Sequence, residues 1–385
     1  MNGMNVTISV GGKFHAFELA RELEKRGHLE RLITSYPKSE TAKSGISKDK
    51  TISLLTTEIV SRAWRKLPQG IQKIYNPQYI LADRFDKRAS RRIGTPDIVV
   101  AWSSYGLHTI RRAKEKGIKT VIERGSSHIA YQTKILQEEY DTWNIAHPRL
   151  AHPKIIEKEK QEYEEADYIA IPSSFVRRSF IEHGIAESKL IQIPYGVDLT
   201  HFKKVPKTDD VFRVIFAGGM RIRKGVQYLV QAFAECKLPN AELVLLGTLD
   251  EEMKSFFKKY EGTFTWKGHI PREELYKHYS QGSVFVMPSI EEGLALVQAQ
   301  AMACGLPLIC TTNSGGEDLI EDGKEGFVIP IRDVEALKEK LVYYHENPDA
   351  LARMSEAAQT RAAHGLTWHD YGEKIAKAYE RIQHE

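Results

Sequence analysis

The stretch that decides the fold runs from Pro288 to Gly316 and reads PSIEEGLALVQAQAMACGLPLICTTNSGG. An apolar strand, Ser283 to Met287, leads into it, and a helix of small residues follows and ends at Gly305. Pro307 then opens a second apolar strand. Alternation of strand and helix in this way predicts a parallel sheet covered by helices.

The same alternation extends outward over most of the chain. In the first half, amphipathic helical segments separate several of the apolar runs at residues 5–10, 30–34, 97–102, 119–123, 168–171 and 190–193. The pattern starts again at FRVIFAG, residues 212–218. Two such sets predict an α/β protein with two Rossmann-like domains, residues 1–203 and 204–365, and a hinge within residues 198–210.

Composition is that of an ordinary soluble globular protein: 385 residues, 42% hydrophobic, 28% charged and a net charge of +4, too weak to indicate a nucleic acid partner. Cys236, Cys304 and Cys310 fit neither a CxxC pair nor a zinc set, so we interpret them as reduced core thiols. The first residues do not resemble a signal peptide, and no run reaches the roughly 20 apolar residues of a membrane span. We expect a cytoplasmic protein, or one on the inner face of a membrane.

Residues 38–95 differ from the rest, because Lys and Arg are interleaved there with aromatic and aliphatic side chains. A basic amphipathic segment of this kind can lie on an anionic bilayer. The alternative is a solvated helix pair that decorates the first domain.

In doubly wound sheets, ligands bind beyond the carboxyl ends of the strands, so the loops there are the candidate site. After the first strand, Gly11 and Gly12 allow close approach of backbone N–H groups to a phosphate, although a tight structural turn is an equal alternative. After the run at 119–123, an Arg, two hydroxyl residues and a His crowd one loop end, which favours contact with a polyhydroxyl ligand over a structural role: Arg124, Ser126, Ser127 and His128.

Two more loops could bind anions. Gly218 and Gly219 precede three cations next to a helix start, Arg221, Arg223 and Lys224, which is typical of an anion site although the P-loop spacing is absent. The alternative is a solvated basic turn. Gly315 and Gly316 lead into a helix expected to begin near Glu317, where N–H groups could also meet phosphate.

The opening stretch contributes the remaining loop. Ionised Glu291 and Glu292 can only accept hydrogen bonds, and sugar hydroxyls are donors. Gly293 lets the backbone reach a ligand, and Gln300 falls further along the same helix. The alternative is that the carboxylates interact with the helix dipole and that Gln298 and Gln300 are buried with satisfied partners.

Together these loops resemble family 4 retaining glycosyltransferases with the GT-B fold. The segments that carry the resemblance are ADYIAIPSSFVRRSFIEHGIAESKLIQIPYGVDLTHF (166–202), RKGVQYLVQAF (223–233), GHIPREELYKHYSQGSVFVMPS (268–289) and TWHDYGEKIAKAYERI (367–382). The resemblance implies two Rossmann-like domains whose parallel sheets face each other across a cleft. The first would be the acceptor domain and the second the nucleotide-sugar donor domain, with the last helix, 366–385, packing back on the first.

The resemblance also implies roles for the site residues. Glu292 would contact the donor sugar and Gln300 the ribose, and Lys224 with a neighbouring Arg would neutralise the phosphates. His128 would contact the donor sugar or the acceptor. The catalytic set is therefore His128, Lys224 and Glu292. The donor-binding set further comprises Gly11, Gly12, Gly218, Gly219, Arg221, Arg223, Gly293, Leu294, Ala295, Leu296 and Gln300.

The sequence departs from the family pattern at three places. Gln300 replaces the second Glu of the E-x7-E signature, Gly219 stands where the family often has Arg, and Tyr195 stands where Asn is common. Gln can accept from a ribose hydroxyl without charge, and Arg221 or Arg223 could supply the missing cation. We therefore expect nucleotide contact to be weakened but retained.

The expected activity is metal-independent transfer of a hexosyl group, with retention, from a UDP- or GDP-sugar to a glycan or lipid-linked acceptor, in cell-surface polysaccharide or glycoconjugate biosynthesis. No Asp-x-Asp occurs, so neither a metal nor a further cofactor is indicated. Two alternatives stay open. One is a non-hydrolysing nucleotide-sugar epimerase, and the other is a nucleotide-sugar-binding protein with weakened catalysis.

Overall fold

A computed structural model of the chain describes residues 3–67, 76–146 and 148–384. Its first half is a seven-stranded sheet in the order β3-β2-β1-β4-β5-β6-β7, in which each neighbouring pair is parallel. The strands are β1 (Val6–Val10), β2 (Leu29–Thr34), β3 (Thr51–Ser53), β4 (Ile98–Trp102), β5 (Lys119–Glu123), β6 (Tyr168–Ile171) and β7 (Leu190–Gln192).

The helices that accompany this sheet leave its central strands buried on both faces. Every residue of β1 and β4 is buried, as expected for a parallel sheet between two helical layers. The helices are α1 (Ala16–Lys25), α2 (Lys38–Lys43), α3 (Thr56–Arg65), α4 (Gln78–Ala89), α5 (Leu107–Lys114), α6 (Ile129–Thr142), α7 (Pro153–Glu165) and α8 (Ser174–Ile181).

The second half repeats the architecture with a six-stranded parallel sheet in the order β10-β9-β8-β11-β12-β13. Its strands are β8 (Phe212–Ala217), β9 (Ala241–Leu246), β10 (Thr265–Trp266), β11 (Val284–Met287), β12 (Leu308–Thr311) and β13 (Gly326–Ile329). Its helices are α9 (Val226–Cys236), α10 (Lys254–Lys259), α11 (Leu275–Ser280), α12 (Leu296–Ala303), α13 (Val334–Glu346) and α14 (Pro348–Ala363).

The last helix, α15 (Trp368–Gln383), packs against α1 of the first sheet. A reciprocal capping box between Thr367 and Asp370 fixes where it begins. Gly196 lies against this start, since a Cβ at 196 would come within 2.4 Å of the Trp368 backbone nitrogen. The segment that leaves the first domain, at Gly196, and the segment that returns to it, at Trp368, are therefore in close backbone contact.

The structure differs from the sequence prediction near Glu317, and it describes only part of the basic segment 38–95. The helix expected near Glu317 is only a single 3-10 turn, Gly316–Asp318, because the chain turns at Leu319 and Ile320 into the buried core. The basic segment 38–95 contains α2, β3, α3 and α4, whereas its residues 68–75 lie outside the described part of the chain. Within the described residues, no helix is both long enough and apolar enough to cross a bilayer.

Candidate functional site

The candidate site lies where β8 and β11 end side by side, because these two strands are neighbours in the second sheet. Gly225 joins the loops that follow them. Its φ is +64°, and a Cβ there would lie 1.8 Å from the carbonyl oxygen of Pro288. Only glycine combines this left-handed conformation with so close a backbone approach. The basic loop 218–225 is thereby held against the loop that carries Glu292.

Glu292 is the centre of this arrangement. Its Oε2 accepts a hydrogen bond from Arg223 Nη2 at 3.0 Å and is also paired with the Lys224 ammonium. Burial alone would raise the pKa of Glu292, but Lys224 and Arg223 outweigh it and lower the pKa to about 2. The carboxylate is therefore ionised at neutral pH and faces two cations that a phosphate could also attract.

Backbone donors accompany the carboxylate. Within the described part of the chain, the N–H groups of Gly293 and Leu294 have no hydrogen-bond acceptor, although both residues are buried. Ala295 caps α12, its side chain is buried like that of Leu294, and Leu296 is half-buried. Two unpaired amides next to a helix start are suited to bind an anionic or hydroxyl oxygen.

The two glutamines of α12 have different roles. Gln298 bridges to the next loop, donating to the Ser314 carbonyl at 3.0 Å and accepting from the Ser314 hydroxyl at 3.4 Å. Gln300 is only 9% exposed, and its Oε1 is without a partner among the described residues. A buried carbonyl without a donor costs free energy, so Gln300 is suited to accept from a bound hydroxyl, as the sequence predicts.

The other cations of the basic loop lie apart from Glu292. Arg221 is exposed and pairs with Asp250 through its Nε at 3.1 Å. Its Nε also lies 4.0 Å from where a Cβ on Gly219 would be, so the guanidinium flanks the position of the family's Arg. Gly218, with φ +152°, lies so close to Gly247 that a Cβ on Gly247 would be 1.9 Å from the Gly218 oxygen. Arg223 and Lys224 are thus the cations that the structure brings to the carboxylate.

The loop after β5 meets the site from the first domain. A Cβ on Gly293 would lie 1.9 Å from the oxygen of Gly125 and 3.0 Å from the Cα of Ser126, so the two loops touch through their backbones. Ser127 is buried and donates to Glu291 from its amide at 3.0 Å and its hydroxyl at 2.8 Å. Arg124 is buried in internal bonds, to Ser127 O at 3.0 Å and to Glu159 at 2.8 Å.

The side chain of His128 turns into the first domain. Its Nδ1 accepts from the Ala130 amide at 3.3 Å, which caps α6, and its ring stacks on His183 at 4.4 Å. Burial, His183 and Arg124 lower the pKa of His128 to about 3, so the ring is neutral. These contacts assign it a capping role, and its expected contact with a ligand stays a prediction.

Gly11 and Gly12 line a separate cavity of about 550 Å³ in the first domain. Tyr105 occupies the space beside Gly11, where a Cβ would lie 2.2 Å from its ring. The lining also includes three further aromatic residues and two amides, together with apolar and charged side chains: Phe14, Tyr36, Trp64, Asn76 and Gln78 among others. The two glycines therefore border a cavity of the first domain, and none of its lining residues belongs to the loops 218–225 or 291–300.

Sequence reasoning missed the contacts that join the two domains. Glu291 was expected to meet sugar hydroxyls with Glu292, but its oxygens are held by Ser127 and Gln132 of the first domain. Gln132 and Glu139 of α6 carried no recognisable signal, because amphipathic helices present many such side chains.

Comparisons with known proteins fit this geometry. The family model described as Glycosyltransferase Family 4 matches residues 11–201, and that described as glycosyl transferases group 1 matches residues 198–361. The chain belongs to glycosyltransferase family 4. This confirms the family predicted from the sequence.

Solved structures confirm the GT-B fold. A sucrose-phosphate synthase of Thermosynechococcus elongatus superposes with a TM-score of 0.72 at 18% identity, covering 98% of this chain and 99% of that one. The Anabaena protein HepE, solved in complex with UDP, superposes with a TM-score of 0.70 at 14% identity, covering 98% and 100%.

Curated relatives match in part. A GDP-mannose-dependent alpha-(1-6)-phosphatidylinositol monomannoside mannosyltransferase of Mycolicibacterium smegmatis is 28% identical over 54% of this chain and 61% of its own length. A putative colanic acid biosynthesis glycosyltransferase of Escherichia coli, WcaL, is 23% identical over 52% and 53%. The matches thus span little more than half the length of these relatives.

Proposed function

We propose that the protein transfers a sugar from a nucleoside-diphosphate sugar to an acceptor hydroxyl, with retention of configuration. The observation that carries the proposal is the pairing of Glu292 with both Arg223 and Lys224 beside two unpaired amides. When a donor binds, its diphosphate would replace the carboxylate as partner of the two cations. Glu292 would then be released to accept bonds from sugar hydroxyls.

The chemistry requires that negative charge growing on the leaving diphosphate be stabilised. Arg223, Lys224 and the N–H groups of Gly293 and Leu294 would provide fixed donors, each worth roughly 3–4 kcal/mol of transition-state stabilisation in comparable sites. The acceptor hydroxyl would attack from the face that the diphosphate leaves and give its proton to a departing phosphate oxygen. We propose that these cations neutralise the diphosphate without a metal or a further cofactor.

Retention without a covalent enzyme intermediate is supported by where the second carboxylate lies. Retaining hydrolases use two carboxyl groups that flank the reacting bond. Here Glu291 is fully buried and already accepts from Ser127 and Gln132, so it is not available as a nucleophile. We therefore propose a front-face reaction, in which Glu292 only accepts hydrogen bonds from the sugar and no second carboxylate is needed.

UDP- and GDP-sugars are the donors to test first, because HepE was solved with UDP and the mycolicibacterial relative is named as GDP-mannose-dependent. A donor that binds only the folded protein raises its melting temperature. The selected donor is then incubated with candidate acceptors, and the anomeric configuration of the product is read by NMR. An α-linked product from an α-linked donor supports the proposal, whereas a β-linked product contradicts retention.

The same experiment separates the alternative functions. Conversion of the donor sugar to its epimer without an acceptor would identify a non-hydrolysing epimerase. Binding without turnover would identify a nucleotide-sugar-binding protein with weakened catalysis, for which the substitution at Gln300 is the relevant feature.

We further propose that the protein binds peripherally to an anionic membrane on its cytoplasmic face and acts on a lipid-linked or membrane-proximal acceptor. Residues 38–95 contain 13 Lys and Arg against 5 Asp and Glu, a net charge of +8 in a chain whose net charge is +4. Large apolar side chains are exposed on and around this segment: Phe14, Leu55, Ile59, Val60, Leu67 and Ile80. Cations beside exposed apolar residues suit binding to anionic headgroups.

Helix α3 relates this surface to the aromatic cavity. Ile59 is 62% exposed and Val60 43% exposed, while Thr57, Ser61 and Trp64 of the same helix line the cavity beside Gly11. A lipid-linked acceptor held at the membrane could therefore place its glycan in the cavity. The name of the mycolicibacterial relative includes a phosphatidylinositol mannoside, and that of WcaL includes colanic acid biosynthesis, which supports a role in glycoconjugate or polysaccharide synthesis.

Vesicle sedimentation tests the membrane proposal. We expect the protein to sediment with vesicles that contain phosphatidylglycerol, an anionic lipid, and not with vesicles of phosphatidylcholine alone. Replacing Ile59 and Val60 together by Ser should abolish sedimentation. Ile181→Ser, at a 44% exposed position on α8, is the matched control and should sediment like the wild type. Equal binding by both variants would contradict a docking role for α3.

A further inference from the structure

Helix α6 lies between the two domains and makes buried polar contacts with the second. Glu139 is fully buried, although it belongs to the first domain. Its Oε1 accepts from Gln227 at 2.9 Å and Tyr228 at 2.7 Å, and its Oε2 accepts from Arg332 at 2.7 Å. A carboxylate of the first domain is thus neutralised by donors of the second.

Glu291 makes the reverse connection. It belongs to the second domain and is also fully buried, yet its side chain is bound by the first. Oε1 accepts from the amide and hydroxyl of Ser127 at 3.0 and 2.8 Å, and Oε2 accepts from Gln132 Nε2 at 2.8 Å. Gln132 and Glu139 are seven residues apart on α6, about two turns, so they lie on the same face.

The amide of Gln132 has a fixed orientation. Its Oε1 accepts from Arg124 Nη2 at 3.1 Å, and its Nε2 donates to Glu291. Arg124 is itself buried and paired with Glu159. If the amide were rotated by 180°, its NH₂ group would face the Arg124 guanidinium, and two donors would meet. Gln132 therefore donates toward Glu291.

Glu291 also contacts the cation that faces Glu292. Arg223 Nη2 is 3.4 Å from Glu291 Oε2 and 3.0 Å from Glu292 Oε2, and Arg223 Nε donates to the Glu291 carbonyl at 3.2 Å. One guanidinium therefore lies between a carboxylate held by the first domain and a carboxylate that we assign to the donor sugar.

We propose that Glu291 is a positioning residue of the transfer reaction. Held by Ser127 and Gln132, it fixes Arg223 beside Glu292, so that docking of the first domain and alignment of the phosphate-binding cation are one event. The inference rests on the proposed function. It adds Glu291 to the residues that the reaction needs, and it links the docking of the first domain to the position of Arg223.

Glu291→Gln tests the hydrogen-bond pattern with little change in size. The new amide can still accept from Ser127, but its NH₂ group opposes the fixed NH₂ group of Gln132. Loss of one charged hydrogen bond predicts a fall in kcat for transfer of about 10–100-fold. The Kd for UDP or GDP should stay within about threefold, since Lys224 and the free amides are unchanged. The share of donor hydrolysed rather than transferred should rise.

The double variant Glu291→Gln/Gln132→Glu is the decisive control. It exchanges the two groups, so that residue 291 donates to residue 132, and residue 132 accepts from Arg124. Net charge is unchanged. In this variant the NH₂ group of residue 291 takes the place of Oε2 and faces Arg223, so we expect the contact between the domains to recover while kcat stays about as low as in Glu291→Gln. Recovery of kcat to the wild-type value would show that the contact with Arg223 is not needed. Gln132→Glu alone, which opposes two carboxylates, should be as impaired as the first variant.

Glu139→Gln separates positioning from simple attachment of the domains. The hydrogen bonds of Glu139 involve Trp143, Gln227, Tyr228 and Arg332 and do not involve Arg223 or Glu292 directly. Its variant should therefore lower thermal stability while changing kcat by less than about threefold. An equal loss of kcat in Glu139→Gln and Glu291→Gln would overturn the proposal, because attachment alone would then explain both.

An activity-independent readout distinguishes failure of this inference from failure of the proposed function. Amide hydrogen exchange across residues 124–132 of the nucleotide-free protein should be about tenfold faster in Glu291→Gln and should return toward the wild-type rate in the double variant. Unchanged exchange, or no recovery in the double variant, would overturn the inference. Absence of transfer by the wild type with normal exchange results would reject only the proposed function.

Discussion

Replacing Glu292 by Gln perturbs the site with almost no change in shape. Lys224 and Arg223 lower the pKa of this carboxyl to about 2 from its ordinary 4.5. At about 1.4 kcal/mol per unit, the folded protein favours the ionised form by roughly 3 kcal/mol. Arg223 keeps Glu291 as a second partner, so we expect the variant to lose about 1–3 kcal/mol of unfolding free energy.

The stability that the Glu292 carboxylate contributes should decrease as the pH falls. Because the pKa is lower in the folded than in the unfolded protein, the carboxylate stabilises the fold fully above about pH 4.5, and that stability is lost as the pH falls toward 2. The wild type and the Gln variant should therefore differ in melting temperature by several degrees at pH 7, and the difference should shrink at acidic pH. Differential scanning fluorimetry across pH 3–7 measures it.

The effect on ligands should be opposite for nucleotide and sugar. Glu292 competes with phosphate for Lys224 and Arg223, so the Gln variant should bind UDP or GDP at least as tightly as the wild type in calorimetry. Transfer should nevertheless fall by about 10²–10³-fold, the usual cost of losing one transition-state contact. Glu321→Gln, at an exposed residue of the same domain, is the control. Transfer within threefold of wild type in the Glu292 variant would refute the sugar-binding role.

Three further predictions concern single side chains. Lys224→Met should weaken binding of the nucleoside diphosphate and reduce transfer by about 10²-fold or more, because one of two cations facing the phosphate is lost, and calorimetry with kinetics measures both. Gln300→Glu should lower the melting temperature of the free protein, since it buries an unpaired charge, yet tighten nucleotide binding about tenfold if the side chain accepts from the ribose. His128→Asn should keep the helix cap, and transfer should stay within about threefold of the wild type. Because the buried, neutral ring of His128 has a pKa of about 3, the wild type loses stability as the pH falls below 6.5, and the Asn variant should lack this pH-dependent loss.

Each has an outcome that contradicts it. Unchanged nucleotide affinity in Lys224→Met would place the diphosphate elsewhere. A Gln300→Glu variant with unaltered affinity would remove the ribose contact. Loss of transfer in a stable His128→Asn protein would restore the ligand contact that the sequence predicts and the capping geometry does not show.

Much of the fold was predictable because parallel strands buried on both faces require long β-branched runs, as in IVVAW of β4. The placement of Glu292 and Lys224 in neighbouring loops was predictable because each follows a strand at its carboxyl end, the edge at which sheets of this kind bind ligands, and their contact with a ligand stays a prediction. The contacts of Glu291 were not, because adjacent residues of a loop point in different directions and the sequence does not show which one meets the other domain.

His128 shows the same limit. A His beside hydroxyl residues at a loop end is compatible with a sugar contact and with a helix cap, and the choice depends on Tyr163, Phe180 and His183, which come later in the chain. The two turns of α6 between Gln132 and Glu139 are likewise an ordinary amphipathic pattern until the second domain is placed against them.

The central claim is that the loops after β8 and β11 bind a nucleotide sugar. A crystal structure of the protein with the UDP- or GDP-sugar that most raises its melting temperature tests it most directly. We expect the diphosphate to contact Arg223, Lys224 and the amides of Gly293 and Leu294, with the sugar on Glu292. A donor bound away from residues 218–225 and 291–300 would contradict the account.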